Sequence, residues 1–269
     1  MGTGKNNLSN DGNMLFWEHL DVLRTALIKV VSVAVLCGIV AFVFKESLFN
    51  IVLAPKHDNF ITYRLLFRIS EYFGADIAGS GFNVDLISTG LAQQFVIHVK
   101  TALCFGVVCA SPYIIYQIFL FVAPALYDME RRYATRVVGA GYLMFVVGML
   151  VSYFLIFPLT FRFLGTYQVS YDVANMITLE SYISTLITMS LSMGIVFEIP
   201  VIVWMLAKFG LITSSFLVSY RKHAIVAILI VAAVITPTSD IFTLLVVSLP
   251  MYLLYECGIV IVRLSVERK

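Results

Sequence analysis

Six apolar runs alternate with polar segments along the chain, and five of them are long enough to cross a bilayer as helices. A hydrocarbon core of about 30 Å needs about 20 apolar residues at 1.5 Å per residue. We predict spans at 25–44, 101–122, 137–157, 181–206, 224–235 and 241–262. The fifth run, 224–235, gives only about 18 Å of helix, which we interpret as a short span in a locally thinned bilayer.

Positive charge orients these spans. The short segments on one side carry Arg or Lys, whereas the short loops on the other side hold only Arg162. The positive-inside bias therefore places both termini in the cytoplasm. If the fifth run were re-entrant, the basic end 263–269 would lie outside, against this bias. We predict an all-α, multi-pass protein of the cytoplasmic membrane with six transmembrane helices.

The remaining segments complete the predicted domain organisation. Residues 1–14 are rich in Gly, Asn and Ser, which is typical of a disordered cytoplasmic tail. Residues 15–269 form a single transmembrane domain, in which the long segment 45–100 is an external cap. Long loops of this kind cross the membrane regardless of their charge.

Composition excludes several classes of protein. The chain is 60% hydrophobic, has a mean hydropathy of +0.94 and is 13% charged, whereas a soluble domain is about 25% charged. A net charge of +2 is too small for a nucleic-acid-binding surface. The cysteines lie inside apolar runs without metal-ligand spacing, and no motif of a hydrolase, metalloprotease or nucleotide-binding protein is present. We expect no enzyme activity, metal or cofactor.

A short polar island, 121–136, lies between the second and third runs. Its charged residues are Asp128, Glu130, Arg131, Arg132 and Arg136. One interpretation is that Glu130 favours the dipole of the third helix while its basic neighbours anchor to lipid headgroups. The other is a peptide site, because carboxylates offer bidentate seats for guanidinium groups. On the first helix, Asp21 and Arg24 share one face near the same membrane surface.

Two carboxyls fall within the apolar runs. Glu198 lies near the middle of the fourth run, where a charged side chain costs about 2.5 to 3.5 kcal/mol. It requires a partner, or it is neutral and bonded to backbone near Pro200. Glu256 lies nearer the inner surface, where we predict pairing with Arg263.

Seven strings in order resemble the TatC family, the signal-recognition subunits of the twin-arginine protein translocase. They are HLDVLR (19–24), AP (54–55), SPYIIYQIFLFVAPALYDMERR (111–132), FPL (157–159), FEIP (197–200), ITPTSD (235–240) and PMYLLYE (250–256). Each string is weak alone, but their order over most of the chain is specific.

The resemblance implies a cup-shaped bundle of six tilted helices, with short fifth and sixth helices. It implies binding of folded precursor proteins through twin-arginine signal peptides, transport driven by the proton-motive force, no cofactor, and a homo-oligomeric receptor complex. Glu130 matches the family's arginine-binding glutamate. The signal-peptide site it implies comprises Leu20, Asp21, Arg24, Gln117, Phe121, Tyr127, Glu130, Arg131 and Arg132.

The resemblance also implies partner and structural residues. Glu198 matches an intramembrane glutamate that meets a polar residue of the single-span partners TatA or TatB, and Met205 on the same helix faces that partner. The structural residues it implies are Pro55, Pro124, Asp240 and Glu256.

The first-helix motif departs from the family pattern. The family has a glutamate two residues before the arginine, whereas this chain has Val22 there and its acid at Asp21. A shift of one residue turns a helical side chain by about 100°. Either Asp21 replaces the second carboxylate, or Glu130 bears most of the charge.

A secondary transporter of a small solute is the competing function. Such a protein needs several intramembrane charges around a midplane cavity, and Glu198 alone qualifies clearly. Solute uptake by the protein alone in vesicles would favour that alternative.

Overall fold

The computed structural model describes residues 16–72, 85–122, 134–170, 175–236 and 240–265. The predicted tail 1–14, Pro124 and most of the polar island lie outside these ranges. The helices are α1 (Phe16–Val43), α2 (Lys45–Leu53), α3 (Ile61–Tyr72), α4 (Gln93–Val122), α5 (Ala134–Val151), α6 (Phe157–Thr166), α7 (Leu179–Val196), α8 (Ile199–Lys208), α9 (Ser214–Ser219), α10 (Arg221–Ile235) and α11 (Ile241–Ser265). Two short strands, β1 (Leu86–Ile87) and β2 (Ile177–Thr178), pair in parallel.

Five helical stretches are long and apolar enough to cross a membrane. They are Leu20–Val43, Gln93–Leu120, Val137–Thr166, Leu179–Lys208 and Ile241–Leu264. The fifth span, α10, has 15 residues, about 22 Å of helix, and is short as expected. The sixth, α11, has 25 residues and is not short, because its helix continues through Pro250.

Helix α1 packs closely along α4 because small residues line their contact. A Cβ added to Gly106 would lie 2.4 Å from the carbonyl oxygen of Ala34 and 2.6 Å from the amide nitrogen of Gly38. No larger residue fits at position 106 without separating the helices. Such close approach through small residues is the usual way in which helices associate in lipid.

Pro158 determines how α3 attaches to the bundle. Proline has no N–H, so the carbonyl of Phe154, four residues earlier, loses its usual helical donor. The helix widens into a π-turn over Ser152–Ile156, and the Thr62 hydroxyl of α3 donates to the Phe154 carbonyl instead. Tyr63 adds bonds from its hydroxyl to the carbonyls of Pro158 (3.2 Å) and Pro55 (3.1 Å).

Two more tyrosines fasten the end of α2. The hydroxyl of Tyr153 donates to the carbonyl of Ile51 (2.5 Å), and that of Tyr182 donates to the carbonyl of Val52 (3.1 Å). Tyr182 is 2% exposed and packs edge-on against Phe157 and Phe161. The junction of α2 and α3 with α6 and α7 is thus part of the main core of the described residues, which also includes buried residues of α4, α10 and α11.

Removing the Tyr63 hydroxyl tests this attachment. Burial raises the pKa of Tyr63 above its ordinary value, more than the nearby Arg162 lowers it, so the hydroxyl remains a donor at neutral pH. We expect Tyr63→Phe to lower the free energy of unfolding by about 1 to 3 kcal/mol, because the single hydroxyl proton shared between the Pro55 and Pro158 carbonyls is lost. Thermal unfolding in detergent measures this effect. Tyr116→Phe, at a position 46% exposed on α4, is the control; equal midpoints for the two variants would contradict the attachment.

Candidate functional site

The predicted peptide-binding residues of α1 and α4 lie at the same membrane depth. Ala34 is opposite Gly106, and the two helices run in opposite directions. Asp21 lies about 20 Å from Ala34 toward the N-terminal end of α1, and Phe119 lies about 20 Å beyond Gly106 along α4. Asp21 is therefore level with the last turn of α4, from which the polar island begins.

The side chains at this level are accessible on α1. Leu20 is 40% exposed, and Asp21 and Arg24 are also exposed. On α4, Gln117 is half-buried, and its amide nitrogen donates to the Tyr113 hydroxyl at 2.7 Å. The described part of the chain thus has an exposed carboxylate and a guanidinium on α1, at about the level of an amide on α4.

Several predicted site residues lie outside the described part of the chain. These are Tyr127, Glu130, Arg131 and Arg132, together with the side chain of Phe121. The approach of Asp21 to Glu130 therefore stays a prediction.

Glu198 occupies a break between two helices. Helix α7 ends at Val196 and α8 begins at Ile199. Pro200 cannot donate to the carbonyl of Val196, so the ladder is interrupted there. Just before the break, the amide of Glu198 donates to the carbonyl of Ile195, three residues earlier, at 3.1 Å. This spacing is the tighter turn of a 3₁₀-helix.

The Glu198 carboxylate is recessed against α4 and α5. A Cβ added to Gly141 of α5 would lie 3.0 Å from its Oε2 atom and 3.4 Å from Cγ2 of Ile115 on α4. Its Oε1 atom is buried and has no hydrogen-bond partner among the described residues. The expected backbone bond near Pro200 is therefore not formed by Oε1, and this acceptor is left for a group that the described chain does not supply.

A groove that sequence reasoning missed begins at Pro200, two residues after Glu198. It has a volume of about 520 Å³. Its walls are Val137, Ala140 and Met144 of α5, Pro200, Val201 and Trp204 of α8, and a residue of α11. The α5 residues repeat at helical spacing, which was the available signal, but such a stripe cannot be told from core without the structure.

Lys208 and Met205 follow the groove residues of α8 toward the end of that helix. The Lys208 ammonium lies 5.9 Å from the centre of the Trp204 ring. Met205 is half-buried, and it lies two turns beyond Glu198, on about the same side of the helix. The carboxylate, the groove and Met205 thus belong to one region of the bundle.

Glu256 pairs with a different residue from the one predicted. Its Oε2 atom lies 2.7 Å from Nη2 of Arg221, and its Oε1 atom accepts from the Tyr252 hydroxyl at 3.0 Å. Arg221 is the first residue of α10, and α10 packs against α11, so Arg221 reaches Glu256. Arg263 lies on α11 itself, two turns beyond Glu256, and does not form the pair. This pair joins the two last spans.

The other predicted structural residues have polar contacts at chain turns. Pro55 is buried, and its carbonyl accepts from Tyr63. Asp240 caps α11, since its Oδ2 atom accepts from the amide of Thr243 at 2.7 Å. Within the described ranges, no group of three or more His, Cys, Asp and Glu side chains is arranged to hold a metal ion.

Comparison with known proteins gives consistent relatives. The family model described as Sec-independent protein translocase protein (TatC) matches residues 18–250. The chain is 36% identical to the TatC protein of Blattabacterium sp. subsp. Periplaneta americana over 94% of this chain and 97% of that protein. It is 31% identical to the TatC protein of Aquifex aeolicus, over 94% of this chain and 96% of that protein.

A solved structure has a similar fold. The crystal structure titled twin arginine translocase receptor TatC superposes with a TM-score of 0.72 at 31% identity, covering 92% of this chain and 99% of that chain. The predicted all-α fold of six membrane-spanning helices and the resemblance to TatC are both confirmed.

The two intramembrane glutamates lead to predictions of opposite sign. We expect Glu198→Met to raise the free energy of unfolding by about 1 kcal/mol, because a buried acceptor without a partner is removed. Glu256→Met is the matched control and should lower it by up to about 1 kcal/mol, because Arg221 loses its carboxylate. Thermal unfolding of both variants in detergent measures the two signs. Destabilisation by Glu198→Met would show that its carboxylate already has a stabilising partner within the protein.

Proposed function

Because the chain belongs to the TatC family of Sec-independent protein translocase proteins, we propose that it is the receptor subunit for twin-arginine signal peptides. Family membership makes it a multi-pass inner-membrane protein that takes part in protein translocation. In our proposal it binds the signal peptide of a folded precursor at the cytoplasmic face and recruits single-span partners of the TatA or TatB type. The observation that carries the peptide site is the common depth of Asp21 and the last turn of α4.

The proposed peptide site takes its carboxylates from two elements. Asp21 is exposed on α1, and Glu130 is four residues before Ala134, so the covalent chain keeps its Cα within about 14 Å of the start of α5. A guanidinium binds a carboxylate through two parallel N–H bonds, which an ammonium cannot reproduce. Two carboxylates at one surface would therefore prefer paired arginines over paired lysines.

The proposed partner site is the Glu198 carboxylate with the neighbouring groove. The groove walls are almost entirely apolar and suit the side chains of a transmembrane helix. The unpartnered Oε1 atom of Glu198 suits a hydrogen-bond donor on that helix. A single-span protein with one polar residue in its membrane helix satisfies both requirements.

Replacing Glu130 tests the peptide site. We expect Glu130→Ala to reduce crosslinking of a photo-reactive twin-arginine signal peptide about tenfold or more, while the protein remains inserted and folded, since the polar segment around it is predicted from the sequence to lie at the membrane face. Asp21→Ala should reduce the crosslink yield less than Glu130→Ala does. The double variant should reduce it more than either single change. Crosslink yield is measured in membranes with equal amounts of each variant.

A twin-lysine peptide and Asp85→Ala are the controls. Asp85 is an exposed acid, 93% accessible, in the 45–100 segment, which we propose to be an external cap. The twin-lysine peptide should crosslink weakly to every variant, and Asp85→Ala should behave as wild type. Undiminished crosslinking to Glu130→Ala would remove Glu130 from the site, and a silent Asp21→Ala in both backgrounds would remove Asp21.

The partner site has its own test. The probe is a TatA-type protein that carries a photo-reactive residue in its membrane helix. We expect Glu198→Ala to reduce its crosslinking by about fivefold or more, because the donor on the partner helix loses the Glu198 carboxylate as its acceptor. Binding of the twin-arginine peptide at the inner surface should be retained. Wild-type yields of the TatA crosslink would refute this role of Glu198.

A further inference from the structure

We propose that Gly141 is a positioning residue: its missing side chain forms the recess that holds the Glu198 carboxylate where a partner helix meets it. The inference rests on the proposed partner role of Glu198 and extends it to a residue of another helix. It predicts that position 141 affects partner binding without touching the partner.

The geometry of the recess is specific. A Cβ at position 141 would lie 3.0 Å from Oε2 of Glu198, 3.5 Å from Oε1 and 3.4 Å from Cγ2 of Ile115. The first distance is shorter than an ordinary van der Waals contact of about 3.5 Å or more. A methyl group at position 141 would therefore push the carboxylate away from its observed position by a few tenths of an ångström.

Backbone conformation does not explain this glycine. Gly141 lies inside α5, and among the described residues the positive-φ glycine is Gly210. Glycine inside a helix costs about 1 kcal/mol relative to alanine. The space it leaves is therefore the physical reason for its presence.

Neighbouring glycines of α5 have different surroundings. A Cβ on Gly148 would lie 2.6 Å from the carbonyl oxygen of Met193, so Gly148 serves backbone packing between α5 and α7. A Cβ on Gly139 would meet nothing within 4 Å. At Gly141 the nearest atom belongs to an ionisable side chain. Gly139→Ala is thus a matched control for Gly141→Ala in the same helix.

The first measurement is crosslinking to the photo-reactive TatA-type protein. We expect Gly141→Ala to lower the yield about fivefold and Gly139→Ala to leave it within about twofold of wild type. Shortening the acid should compensate for the added methyl group, so Gly141→Ala combined with Glu198→Asp should recover yield relative to Gly141→Ala alone. A merely structural defect at position 141 would not be rescued by that change.

The second measurement follows Glu198 itself. An apolar carbodiimide modifies carboxyl groups within the membrane, and mass spectrometry of the Glu198 peptide gives the rate. We expect Gly141→Ala to raise this rate severalfold over Gly139→Ala, because the buried carboxyl is displaced from its recess. This measurement does not depend on any partner.

The outcomes separate the two proposals. If Glu198→Ala loses the TatA crosslink but Gly141→Ala and Gly139→Ala behave alike in both measurements, the inference about Gly141 is overturned and the partner role of Glu198 stands. If Glu198→Ala keeps the crosslink, the partner role fails, and an unchanged carbodiimide rate in Gly141→Ala then overturns the recess as well. Rescue by Glu198→Asp together with a raised carbodiimide rate supports the inference.

Discussion

A backbone carbonyl that loses its donor inside a membrane must find another, and Pro158 and Pro200 are two of the helix prolines that create that condition here. At Pro158 the requirement is met by the Thr62 hydroxyl, which joins α3 to the π-turn between α5 and α6. Tyr63 then bonds to the carbonyl of Pro158 itself. The attachment of α3 is thus a consequence of one missing N–H in a neighbouring helix.

Pro200 interrupts a helix in the same way with a different result. Here the break places an acidic residue in the turn, and its amide makes a shorter-range bond to the Ile195 carbonyl. The side chain of Glu198 leaves the turn toward α4 and α5, where Oε1 has no partner among the described residues. Glu256 shows the alternative, since Arg221 and Tyr252 satisfy both its oxygens. Of these two glutamates, Glu256 is therefore satisfied within the described chain, whereas Glu198 keeps an acceptor for a group from outside it.

The spans and the short fifth helix follow from the sequence, because hydropathy and residue count directly reflect bilayer thickness. The side-chain pairings between helices do not follow from the sequence. Glu256 bonds to Arg221 rather than to Arg263 because α10 and α11 pack together, and composition carries no information about that packing. The Glu198 recess depends on Gly141, which in sequence resembles Gly139 two residues earlier. The family resemblance suggested the proposed role of Glu198, but only three-dimensional packing distinguishes these two glycines.

Helix α5 connects the two proposed sites. Its first residue, Ala134, belongs to the polar island that contains Glu130, and Gly141 lies about 10 Å further along the same helix. Residues 134–151 form one continuous helix, and Gly141 faces the Glu198 carboxylate, since a Cβ at position 141 would lie 3.0 Å from its Oε2 atom. A displacement of the inner end of α5 by a bound peptide would therefore change the fit of the carboxylate in its recess. The two sites are coupled by geometry to the extent that peptide binding moves α5.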